Sequence, residues 1–112
     1  MLMGKIFITI VLFGFQPLFV IALDNMWTIS ADEWSRPRTG YSLSQMKPLQ
    51  ASINQLNKIP GSILVVQYPG GEEGVLWVSE LKDWLISMGI PSKRILLRAG
   101  QPNHETITIM LQ

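Results

Sequence analysis

A chain of 112 residues has room for one small domain. It contains no cysteine, which removes structural disulfides, a lipoprotein anchor, thiolate metal sites and thiol catalysis together. Nine basic against eight acidic side chains leave no net electrostatic drive toward nucleic acid or an anionic surface.

The first element is an address. Met1-Leu2-Met3-Gly4-Lys5 is short and positive, and residues 6–22 are almost wholly apolar, ending in Val20-Ile21-Ala22, where small side chains suit a signal peptidase. The expected division is a signal peptide over 1–22 and a single domain over 23–112. The rival reading is a retained membrane anchor, because the apolar stretch of about 17 residues is just long enough to span a bilayer. Either way the remainder is placed outside the cytoplasm. Removing Lys5 with the leader balances the charges of the remainder at zero.

Met26-Trp27-Thr28-Ile29 has the aromatic and β-branched character of a short strand. Residues 30–40 then read as a loop, since Pro37 holds Arg36 extended and Gly40 offers a turn. Leu43, Met46, Leu49, Ile53 and Leu56 recur at intervals of three and four, the spacing of one helical face. That helix tolerates Pro48 near its start and ends around Lys58, ahead of Pro60-Gly61. Residues 63–68 are apolar on both faces, as in a central strand, and Pro69-Gly70-Gly71 stops them. A second helix over 75–88 presents Val75, Val78, Leu81, Leu85 and Met88 as a stripe flanked by Trp77 and Trp84. Gly89 suits the left-handed residue that closes it, with Ile90 packing back and Pro91 preventing continuation. Residues 94–98 form a third strand, and residues 105–111 alternate as a fourth, with Ile107, Ile109 and Leu111 on one side. The order β-α-β-α-β-β, with right-handed crossovers, predicts an α/β two-layer sandwich with both helices on one side of a small mixed sheet.

No reactive constellation emerges. His104 is the only histidine and has no cysteine or second histidine to join it, so it reads as a loop residue and no metal site is expected. Ser62, Ser79 and Ser87 lack the setting of a nucleophile. Gly70-Gly71-Glu72-Glu73-Gly74 resembles a phosphate cradle only in outline, because Glu72 and Glu73 already occupy the positive end of the following helix and would repel an anion. Capping is the plainer role, and recognition of a partner's amine or amide groups the sharper one. Trp34, Arg36, Pro37 and Arg38 form the best contact surface: two guanidinium groups spaced by a rigid proline beside an indole. The competing role has Trp34 plugging the end of the core while the arginines pair with Asp32, Glu33 or Glu73.

Lys47-Pro48-Leu49, Ile63-Leu64-Val65-Val66 and the run from Trp84 to Pro91 with Arg94-Ile95 resemble the C-terminal domain of OmpA-type proteins. That family implies the same fold and peptidoglycan binding through an aspartate after the second strand and an arginine in the next helix; here Pro69-Gly70-Gly71 and Ser79-Glu80-Leu81 stand at those places, so the ligand site does not carry over. Trp34-Ser35-Arg36-Pro37-Arg38-Thr39-Gly40, Tyr68-Pro69-Gly70-Gly71-Glu72-Glu73-Gly74 with Leu76-Trp77, Glu80-Leu81, Asp83-Trp84-Leu85 and Gly89-Ile90-Pro91-Ser92 are similar to small exported proteins encoded in the transfer regions of integrative conjugative elements. That resemblance implies a periplasmic accessory role in DNA transfer through a type IV secretion machine.

The expected function is therefore non-enzymatic protein contact within a conjugation apparatus, with no cofactor and no direct nucleic-acid contact, and with the membrane touched only by an uncleaved N-terminal segment. The contact residues are Trp34, Arg36, Pro37, Arg38, Gly70, Gly71, Glu72, Glu73 and Trp77. A peptidoglycan-binding module is the alternative, and a wall hydrolase a distant third, since adjacent Glu72 and Glu73 do not place two carboxylates across a cleft.

Overall fold

The computed structural model describes residues 25–112; the expected signal peptide over 1–22 lies outside them. The chain forms β1 (Met26–Ser30), α1 (Ala31–Trp34), α2 (Gly40–Ser44), α3 (Lys47–Lys58), β2 (Leu64–Tyr68), α4 (Gly71–Ser87), a 3-10 turn (Ser92–Arg94), β3 (Ile95–Ala99) and β4 (Thr106–Leu111). The four strands make one mixed sheet in the order β1-β4-β2-β3, with β2 and β3 parallel and β4 antiparallel to both β1 and β2. The expected α/β sandwich is what the chain builds.

Register decides which face is buried. Ile29 lies opposite Ile107, Val66 opposite both Ile109 and Leu97, and Leu64 opposite both Leu111 and Ile95, so one face of the sheet is continuously apolar. Leu49 and Leu56 of α3 and Val78, Leu81 and Leu85 of α4 close over that face, all fully buried. Both long helices thus cover one side, as right-handed crossovers require. The other face carries Met26, Met110, Val65 and Leu96 in one row across all four strands and Thr28, Thr108, Gln67 and Arg98 in the next.

Three expectations need correction. Residues 30–40 are not all loop: Ser30 and Glu33 form a reciprocal capping box that nucleates α1, and Thr39 and Ser42 do the same for α2. The helix expected to carry Leu43 and Met46 together with Leu49 is split, because the chain turns at Gln45 and Met46 and restarts at Lys47, with Pro48 in the first turn where its missing N–H costs nothing. Leu43 is buried all the same. Finally, α4 begins four residues early, at Gly71, and its inward stripe is Gly74, Val78, Leu81 and Leu85, leaving Val75 exposed.

Gly74 explains the rotation of that stripe. A Cβ at this position would lie 1.8 Å from the carbonyl oxygen of Pro69, so only glycine lets the first turn of α4 fold back against the end of β2. Gly89, at φ 100°, closes α4 as expected, and Ile90 donates its N–H to Leu85 and is buried.

Candidate interaction groove

At the C-terminal end of β2 the segment after β1 meets α4. The capping box turns the chain through α1, which drives Trp34 into the core, and its ring sits 6.2 Å from that of Trp77, tilted by 30°. Such an offset pair adds about 0.5–1.5 kcal/mol beyond the area it buries. Arg38 then folds back over this junction. Its guanidinium carbon lies 4.7 Å from the centre of the Trp34 ring, Nη1 donates to the Trp34 carbonyl, and Nε and Nη2 grip the two carboxylate oxygens of Glu80 at 2.5 and 3.0 Å.

Glu80 also accepts from the indole Nε1 of Trp84 at 3.2 Å. The hydrogen bonds from Arg38 hold the Glu80 carboxyl below its ordinary value, against the opposing effect of burial, and Trp84 adds to the lowering. The same pair raises the Arg38 guanidinium further above its already high value.

Two hollows flank the aromatic junction and share Ala31, Glu73 and Trp77, so they read as one groove. The outer one, of about 300 Å³, adds Trp34, Ser35, Arg38, Leu76 and Glu80. The inner one, of about 160 Å³, adds Pro69, Gly70, Gly74, His104 and Glu105. Beneath the two hollows the Trp77 indole nitrogen is buried, out of reach of solvent, and has no hydrogen-bond partner among the described residues. An orphaned donor of this kind is costly and wants an acceptor.

The fold therefore gathers Trp34, Arg38, Gly70, Glu73 and Trp77 at one groove. It sends the other expected contact residues elsewhere. Arg36 and Pro37 border an adjoining hollow of about 420 Å³ with Tyr41, Met46 and Lys47, and the exposed Arg36 side chain reaches Asp32 only at 3.7 Å. Gly71 and Glu72 line a separate recess with Val75 and Leu76. Arg38 does not pair with Asp32, Glu33 or Glu73 as the sequence suggested, because burial of Trp34 carries it across to the second turn of α4 beyond Glu73.

The first turn of α4 bears Glu72 and Glu73, yet neither makes a side-chain cap, so their effect is through the helix dipole alone. His104, read as a loop residue, and Glu105, read as the first residue of the last strand but lying just ahead of it, arrive at the inner hollow because the turn between β3 and β4 lies beside Pro69. Leu76 and Glu80 are groove residues outside the expected contact set. Besides their place in the motif blocks, the signal for Glu80 was its spacing of four from Trp84 on a shared helix face.

Among the described residues no group of three or more His, Cys, Asp or Glu side chains is placed to hold a metal ion. No helix among them is long and apolar enough to cross a membrane. No family model, no curated protein and no solved structure matches this chain.

Proposed function

We propose that the protein is a non-enzymatic, exported accessory component of a conjugative DNA-transfer apparatus, and that it works by seating a segment of another protein in the groove between α1 and α4. The observation that carries this reading is the contact of Trp34 with Trp77, which joins the two sequence blocks that resemble exported transfer-region proteins. A surface built where those blocks meet is where shared function would lie. The groove has the makings of a contact site: an aromatic floor of Trp34 and Trp77, and Leu76 exposed at its rim. Glu80, its central carboxylate, is engaged by Arg38 and Trp84, so it serves as scaffold and not as an acid or base.

A photo-crosslinking residue placed at Leu76 or Glu73, both exposed on the groove, in cells carrying out transfer tests this. Both positions should capture a component of the secretion machine, while Asn54 on the exposed side of α3 should not. A folded Glu73→Arg, Leu76→Asp double variant that transfers DNA at the normal rate would overturn the reading. Co-sedimentation of the protein with isolated cell-wall sacculi would replace it with wall binding.

A further inference from the structure

The opposite end of the molecule carries a second surface, and we propose that it rests on an anionic lipid bilayer. β1, β2 and β3 all start there and β4 ends there: Met26 pairs with Met110, Leu64 with Leu111 and Ile95, and Ile63 exchanges backbone hydrogen bonds with Gln112. Of the eight large apolar side chains exposed among the described residues, five belong to this end: Met26, Ile59, Ile63, Ile86 and Leu96. Met26, Ile63 and Leu96 lie on the helix-free face of the sheet, Ile59 in the adjoining turn and Ile86 in the last turn of α4.

Charge is distributed unevenly although its sum is near zero. Lys58, Lys93 and Arg94 lie at this end, where the Arg94 guanidinium binds the Leu56 and Ser62 carbonyls at 3.0 and 2.9 Å. Asp32, Glu33, Glu72, Glu73 and Glu105 all sit toward the groove end, Glu80 is paired with Arg38, Asp83 follows Lys82 in α4, and Asp24 lies outside the described residues. The balance of the whole chain thus conceals one end that is basic and apolar at once. That combination places side chains at the boundary of headgroups and acyl chains while lysines meet phosphate.

The position of the preceding chain fits the same occupant. Residues 6–22 are almost wholly apolar and stand three residues before β1 at this end, so a segment that brings the protein to a membrane delivers this surface to it. The groove, at the far end, is then held away from the lipid and open to a partner. The membrane surface does not depend on what that partner is.

The test takes the protein from producing cells with whatever N-terminus it carries there and measures co-sedimentation with vesicles of phosphatidylethanolamine and phosphatidylglycerol, against phosphatidylcholine vesicles. The anionic vesicles should bind more tightly, and Lys58→Glu with Lys93→Glu should weaken that binding by about tenfold or more. Leu96→Ser should weaken binding to both vesicles. Equal binding to both vesicles with neither variant affected, or no binding to the anionic vesicles, would overturn the proposal. A concentration-dependent dimer that shields Leu96 in place of lipid would do the same. Unchanged thermal unfolding of the lysine variant shows that the loss is not one of fold.

Discussion

Gly74 and Glu80 show how much can turn on one side chain. Gly74→Ala would set a methyl group against the Pro69 carbonyl, backbone against backbone, with no flexible neighbour to yield. Overpacking of this sort costs about 1–3 kcal/mol, and denaturant unfolding should show it as a lower midpoint. Glu80 adds a dependence on acidity. Its carboxyl titrates lower when folded than the ordinary 4.5, so its contribution is full above that value and fades as the pH falls through the lowered one. Glu80→Gln should therefore narrow the stability gap between neutral and acid solution. The difference should be small, about 1 kcal/mol or less, because the pair is partly open to water. Thermal unfolding at pH 7 and pH 3 of both proteins measures it.

Between elements, the joins are made by long side chains crossing to carbonyls. Arg94, from the turn before β3, caps the C-terminal end of α3 through Leu56, Ile59 and Ser62. Arg94→Met keeps the aliphatic stem but abandons these acceptors, and should cost about 1–3 kcal/mol in unfolding free energy. Leu81→Ala, in the middle of the buried stripe of α4, should cost about 2–5 kcal/mol by the same measurement. The strands, both long helices and the left-handed Gly89 were legible in the sequence because period and punctuation agree there. The split between α2 and α3 was not, since Leu43 and Met46 keep the helical spacing across a turn and both pack on the core. The groove was half legible. Trp34 and Trp77 announce themselves as aromatic, whereas the Arg38 to Glu80 pair spans 42 residues and depends on a burial that no local pattern encodes.

On the scale of the whole molecule, two surfaces lie at opposite ends of one sheet, and the order in which the strands are made bears on both. β4, the last strand in the chain, sits between β1 and β2 and is the only strand β1 pairs with. Before residues 106–111 have emerged, β1 has no neighbour and Ile29 has no cover from Ile107. The sheet consequently stays open until the final stretch of the chain is delivered, and can snap shut only then. A chain halted after Gln101 should remain protease-sensitive throughout, which limited proteolysis of the truncated product would reveal.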